Sequence, residues 1–201
     1  EDIMLEKKLS SRISDVLVMG GIIKDTDRDK CSYGIDIMFS SIMQLLLILI
    51  ISVFIGNIVE TLLFFLMFIP LRIYAGGYHA DSRGRCFIIL VCVYIIFCFL
   101  VEIESERLYA VMICVGMVFS MLMVLITAPV LHSRKHLTKN EINVFRKIAI
   151  LICCLETIIV LVGMFTVGPN KYVLSCECGQ IAVSLSMLLA CIKKHLGRCK
   201  V

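Results

Sequence analysis

Long uncharged apolar runs alternate with short polar segments along the chain, and this pattern predicts a bundle of membrane-spanning helices. About 20 apolar residues in a helix, rising 1.5 Å each, cross the roughly 30 Å of hydrocarbon in a bilayer. Six spans are predicted, at residues 37–59, 57–74, 86–101, 108–131, 148–167 and 172–192. The predicted fold class is therefore all-α, a polytopic membrane protein with six transmembrane helices.

Residues 1–24 follow a different pattern, with apolar positions at helical spacing on one side and charged or polar positions on the other. This pattern is typical of an amphipathic helix that lies on the membrane surface, although a cytosolic helix packed on the protein fits it equally well. The charged start is unlike a secretory signal peptide. We predict a single integral membrane domain over 1–201, with a cytoplasmic interfacial helix in 1–30, a six-helix bundle in 31–192 and a cytoplasmic tail in 193–201.

Composition and charge support this interpretation and give the orientation. Sixty per cent of the residues are hydrophobic and the mean hydropathy is +0.97, both above the range of soluble domains. Of the 20 Lys and Arg residues, only Arg107 and Lys171 lie outside the N-terminal segment, the 72–85 and 132–147 loops and the C-terminus. By the positive-inside rule, both termini and the 72–85 loop are cytoplasmic. Cys176 and Cys178, near the outer end of the last span, are then the thiols expected to be most open to an impermeant reagent.

The segment from Arg72 to Cys86 carries the candidate chemistry, because Cys86 follows His79 by seven residues. An imidazole can take the proton of a thiol and later return it to a leaving group, which is the minimum for nucleophilic catalysis. Taken alone, the His79 and Cys86 pair is weak evidence for catalysis. The chain has eleven cysteines, and a cysteine within an apolar run usually acts as a small hydrophobe.

The surroundings of Cys86 favour its thiolate. Arg83 and Arg85 flank it, and Asp81 or Ser82 is a suitable N-cap for the helix that follows. Cys86 is then expected in or just after the first helical turn, where the helix dipole also favours a negative charge.

Three other groups of polar residues are candidates for a functional role. Glu156 lies in the fifth span, where an ionisable residue is a functional candidate, but a protonated or hydrogen-bonded glutamate facing the bundle interior is favoured slightly. His132 and His136 do not form a recognised zinc pattern, so no metal or cofactor is predicted. In a small membrane transporter or exporter, the alternative function, Glu156, Glu60 and Gln44 would line a path. Gln44 and Glu60 also stay open as a third catalytic member.

The arrangement of these motifs resembles the accessory gene regulator B (AgrB) family. The resemblance rests on the six spans, the Gly-Gly-Tyr-His79-Ala-Asp-Ser82 turn, Cys86, and Ala128-Pro129-Val130 before a basic loop. It implies a membrane cysteine endopeptidase with Cys86 and His79 as its catalytic residues. The resemblance gives supporting or substrate-positioning roles to Arg72, Gly77, Arg134 and Lys135, and the sequence around Cys86 adds Ser82 and Arg85 as candidates for such roles.

The resemblance also implies a substrate and a reaction. The substrate is a short amphipathic quorum-sensing propeptide (AgrD-like) whose C-terminal tail is cleaved through a thioester on Cys86, so that the remainder can close to a thiolactone or lactone. The expected partners are this propeptide and the lipid bilayer. No nucleic acid is expected, and a homodimer is left open. The expected location is the cell membrane of a Gram-positive bacterium, with the active site on the cytoplasmic side.

Overall fold

The computed structural model describes residues 2–77, 83–103, 105–130 and 139–198, and within these ranges the chain is helical. The helices are α1 (Asp2–Met19), α2 (Arg28–Ile55), α3 (Ile58–Ala75), α4 (Arg83–Val101), α5 (Glu106–Thr127), α6 (Lys139–Thr166) and α7 (Lys171–Arg198), with a 3₁₀ turn at Asp25–Asp27. Among the described residues, the β-type pairing is one isolated parallel bridge between Gly76 and Val130. The all-helical class is confirmed.

Four of the described helices, α3, α5, α6 and α7, are long and apolar enough to cross a membrane. In α2 and α4 the apolar stretches are shorter, at Ser41–Ile55 and Ile88–Val101. Six spans plus an interfacial helix therefore stay a prediction, as does the single-domain division. The end of α5 was predicted four residues too late. Helix α5 stops at Thr127 because Ala128, which precedes Pro129, adopts an extended backbone with ψ 142°.

The chain forms two compact units, residues 1–51 and 52–201. In the first, the buried side chains of α1 include Ser10 and Ser14, whereas Val16 and Met19 are exposed. Asp15 forms an ion pair with Arg28 at the start of α2. The hydrogen bond from Arg28 lowers the pKa of the Asp15 carboxyl group. Because the pKa is lowered in the folded state, the ion pair stabilises the connection between α1 and α2 above about pH 4. This stabilisation is lost as the pH falls further and Asp15 takes up a proton.

Helix α7 is the centre of the second unit, where it packs against α3, α4, α5 and α6. Of its apolar span 61% is buried, compared with 22% in α5 and in α6. Gly179 allows the closest approach between α7 and α3, since a Cβ atom there would lie 2.5 Å from the carbonyl oxygen of Phe64 and 3.0 Å from Cβ of Met67. Small residues at such crossings are the usual means by which membrane helices approach closely.

The buried position of α7 overturns one expectation. Cys176 and Cys178 are 8% and 6% exposed and belong to the core of the bundle. They are therefore not the accessible outer thiols that the charge pattern suggested, because the helix that carries them is surrounded by other helices.

The start of α3 is fixed by contacts to α4 and α7. Glu60, only 3% exposed, pairs with Lys171 at an Oε1–Nζ distance of 2.6 Å. Thr61 hydrogen-bonds Tyr94 of α4 at 3.1 Å. Fifteen helical residues, about 22 Å along the axis, separate Glu60 from Ala75 at the end of α3 that leads toward His79. Glu60 therefore pairs with Lys171 at the end of α3 opposite the one that leads toward His79.

We expect Gly179→Ala to destabilise the protein by roughly 1–3 kcal/mol, because the added methyl group would overlap the backbone of α3 and force the helices apart. The measurement is the midpoint of thermal unfolding of the purified protein in detergent. Gly34→Ala is the matched control: Gly34 lies within α2 with nothing near its Cβ position, so its midpoint should be unchanged or slightly higher. Equal midpoints for the two variants would contradict the close approach.

Candidate functional site

The end of α3 makes the sharp turn that leads toward His79. The helix closes with Gly76 N–H donating to the carbonyl oxygen of Arg72 at 3.2 Å. Gly76 and Gly77 then have φ values of 74° and 142°, in the region that residues with a side chain rarely occupy. The Gly-Gly pair is therefore required by the backbone conformation itself.

The side chain of Arg72 holds this turn in place. Its Nη1 donates to the carbonyl oxygen of Gly76 at 2.7 Å and to Oγ of Ser186, on α7, at 2.7 Å. Ser186 Oγ in turn donates to the carbonyl oxygen of Val183 at 2.7 Å. Hydrogen bonds from a charged group are stronger than neutral ones. The guanidinium group therefore links the last turn of α3 to the central helix.

The space around Gly77 is filled by the same two side chains. A Cβ atom on Gly77 would overlap the guanidinium group of Arg72 and the hydroxyl group of Ser186. Gly77 is thus constrained twice, by its φ angle and by the close approach of the Arg72–Ser186 pair.

A second loop begins beside this turn. Val130 N–H donates to the carbonyl oxygen of Ala75 at 2.9 Å, and Val130 forms the parallel bridge with Gly76. A Cβ atom on Gly76 would overlap the carbonyl oxygen of Val130. The bridge provides hydrogen-bond partners for backbone groups that lie beyond the ends of their helices. Within a membrane protein such groups must find partners inside the protein. The segments that lead to His79 and to the basic loop therefore start side by side.

Both segments rest on a common apolar core from four helices. The buried residues of this core are Leu71, Ala75, Val124, Ala128, Ala149, Cys153, Val183 and Met187. Tyr74 also packs against Phe145 of α6, with ring centroids 5.7 Å apart. The turn at Gly76 and Gly77 is therefore supported by the packing of four helices rather than by one helix alone.

The remaining predicted site residues are placed only in part. Cys86 and Arg85 lie in the first turn of α4, as the sequence predicted for Cys86, but their side chains fall outside the described part of the structure. His79, Ser82, Arg134 and Lys135 lie outside the described residues. Arg72 and Gly77 are brought together at the turn.

Comparison of the sequence with known protein families assigns the chain to one of them. The family model described as Accessory gene regulator B matches residues 10–192, which is most of the chain. The chain belongs to the AgrB family. The matched range contains the turn at Gly76 and Gly77, Cys86, and the start of the loop at Val130.

Two relatives in bacteria are similar to this member of the AgrB family. Protein FsrB of Enterococcus faecalis is 33% identical over 76 residues, which is 38% of this chain and 31% of that protein. AgrB-like protein 1 of Clostridium perfringens is 27% identical over 126 residues, which is 60% of this chain and 66% of that protein. The matches thus span about a third and about two thirds of the lengths of these relatives. No solved structure matches the chain at a significant level.

Sequence reasoning missed Ser186. It lies 114 residues after Arg72, and a serine in an apolar span usually bonds its own helix. The only available signal was that Arg72, a cation at the end of an apolar span, needs an acceptor nearby.

We expect Ser186→Ala to lower the free energy of unfolding by roughly 1.5–3 kcal/mol, because it removes a hydrogen-bond acceptor from a charged, partly buried group. Thermal unfolding in detergent measures the loss. Ser175→Ala is the control on the same helix, since the hydroxyl group of Ser175 donates to the carbonyl oxygen of Lys171 within α7. A loss no larger than that of the control would show that Arg72 does not depend on Ser186.

Proposed function

We propose that this protein is a membrane cysteine endopeptidase that removes the C-terminal tail of a short quorum-sensing propeptide. The observation that carries the proposal is the anchored turn at Gly76 and Gly77, which ends two residues before His79, together with Cys86 in the first turn of α4. Membership of the AgrB family supports the same reaction.

The first half of the reaction forms a thioester. His79 takes the proton of the Cys86 thiol, and the sulfur attacks the carbonyl carbon of the scissile peptide bond. The C–N bond breaks, and His79 returns the proton to the leaving amine of the tail. Backbone N–H groups at the start of α4 favour the thiolate, and Arg85 adds a positive charge in the same turn.

The second half transfers the acyl group. A thiol or hydroxyl group within the bound propeptide attacks the thioester, loses its proton to His79, and displaces Cys86, which recovers that proton. The product is a thiolactone or lactone. Water competes for the same thioester, so the site must exclude it. A site close to the membrane surface, with an amphipathic substrate, meets that need.

The described part of the site acts by positioning. The hydrogen bonds of Arg72 to Gly76 and Ser186 fix the chain direction as it enters the segment that carries His79. The bridge between Gly76 and Val130 brings the residue that precedes the basic loop beside this turn. We propose that this basic loop and Ser82 help to hold the propeptide, at the cytoplasmic face that the charge pattern predicts.

We expect Cys86→Ala, Cys86→Ser and His79→Ala each to reduce cleavage of the propeptide to background. A serine hydroxyl group is far harder to deprotonate than a thiol, so it does not replace Cys86. The assay follows release of the tail by mass spectrometry in membranes that contain equal amounts of each variant. Cys92→Ala and Cys114→Ala are controls, since these exposed cysteines lie within α4 and α5, and His132→Ala should also retain most activity.

Cleavage at the full rate in Cys86→Ala would overturn the mechanism. Movement of the peptide across the membrane by Cys86→Ala, without cleavage, would favour the transporter instead.

The covalent intermediate gives a separate test. With a propeptide whose internal nucleophile is changed to Ala, the first step can proceed but the ring cannot close. A propeptide adduct should then accumulate on the 201-residue chain, disappear with hydroxylamine, and map to Cys86 rather than to any of the other ten cysteines. The control is the wild-type propeptide, with which the enzyme should not accumulate the adduct because the ring can close. An adduct on another cysteine would contradict the assignment.

A further inference from the structure

Four polar side chains meet in the interior of the helix bundle, away from the proposed catalytic turn. They are Glu156 of α6, Glu177 and Gln180 of α7, and Ser120 of α5. Glu156 is 5% exposed and the other three are fully buried. Glu177 lies six residues into α7, about 9 Å along the axis, and Glu156 lies ten residues before the end of α6, about 15 Å. Both carboxyl groups therefore lie inside the apolar spans.

The backbone of α5 leaves room for one of these carboxyl groups. Gly116 lies one turn before Ser120, and a Cβ atom on Gly116 would be 2.8 Å from Oε1 of Glu177. Glu177 therefore points directly at α5. Glu156 acts electrostatically on Glu177, while Ser120 lies beside the carboxyl group of Glu177 and Gln180 lies beside that of Glu156, so the four side chains form one cluster.

The polar atoms of this cluster have no hydrogen-bond partner within the described residues. This holds for Oγ of Ser120, both carboxyl oxygens of Glu156 and of Glu177, and both the oxygen and the nitrogen of the Gln180 amide. Ser120 and Glu177, and likewise Gln180 and Glu156, lie near hydrogen-bonding range, but neither pair has the full geometry of a hydrogen bond. Buried polar groups are normally paired, so the unpaired state of this whole set needs a physical explanation.

Three described basic residues of the bundle are engaged elsewhere. Lys171 pairs with Glu60, and Arg146 donates to the carbonyl oxygen of Leu125 at 3.1 Å. Arg72 bonds Gly76 and Ser186 at the other end of α3. No described salt bridge therefore neutralises Glu156 or Glu177, and a buried ionised carboxyl group requires a counter-charge.

We propose that Glu156, Glu177, Gln180 and Ser120 bind a hard metal cation inside the helix bundle. The four side chains offer six oxygen atoms, from carboxyl, amide and hydroxyl groups. These are the ligands that hard cations prefer, and six is within the coordination number of such ions. A divalent ion balances both carboxylates, and a monovalent ion balances one of them if the other keeps its proton. The cation joins α5, α6 and α7, and this site is independent of the proposed peptidase reaction.

The test measures thermal unfolding of the full-length protein in detergent after removal of metal ions with a chelator and dialysis into choline chloride. NaCl, KCl, CaCl₂ and MgCl₂ are then titrated separately, with choline chloride keeping the ionic strength constant. We expect sodium or calcium to raise the unfolding midpoint to a plateau, because a ligand that binds only the folded state stabilises it. Choline, an organic cation that carboxyl and amide oxygens do not coordinate as they do a metal ion, should have no effect.

Glu177→Gln and Glu156→Gln should each abolish or greatly weaken this cation-dependent rise. Glu60→Gln is the matched control: it removes a buried carboxyl group that already has a partner, so its midpoint should fall while the rise on adding the cation persists. Equilibrium binding of radioactive sodium or calcium to the wild-type protein decides the matter even if a variant fails to fold.

Three results would overturn the proposal. They are a midpoint insensitive to every metal ion with no radioactive ion bound, an undiminished response in Glu177→Gln, or a midpoint that depends on pH but on no metal ion. The last result would mean that protons alone neutralise the two carboxyl groups.

Discussion

The guanidinium group of Arg72 is the interaction on which the candidate site depends. A helix that ends near the membrane surface leaves carbonyl groups without partners, and irregular backbone at that depth must find them inside the protein. Arg72 supplies a donor to Gly76, and Val130 supplies one to Ala75. Because Arg72 also bonds Ser186, the turn is fixed to the helix that occupies the centre of the bundle. Removing any of these contacts leaves a polar group without its partner in an apolar setting.

The sequence predicted the existence of the helices better than their arrangement. Long apolar runs identify helices because the chain must satisfy its backbone within each span, so the class and most boundaries followed directly. Hydropathy does not say which helix lies in the middle. Cys176 and Cys178 were expected near an accessible end, yet they are buried because α7 is surrounded by other helices. The error was one of packing and not of secondary structure.

The candidate site was predictable where local chemistry demanded particular residues. Two successive glycines after an apolar helix indicate a tight turn, and both have positive φ. Their partners were not predictable, since nothing local connects Arg72 to Ser186 or Gly76 to Val130. Glu156 was expected to face the interior and does so. Glu177 and Gln180 passed unnoticed, although their spacing puts them on one face of α7 and polar residues within an apolar run are themselves a signal.

The polar residues of the bundle concentrate on α7 for a physical reason. A span that faces lipid on one side can carry polar side chains only on its protein side, whereas a central helix is shielded nearly all round. Helix α7 can therefore present Ser186 to Arg72 at one level and Glu177 and Gln180 to α5 and α6 at another. Gly179 lies at the level of Glu177 and Gln180 and brings α3 close to α7. The packing of α7 among its neighbours, which brings α3 close at Gly179, is thus also what keeps its polar side chains away from lipid.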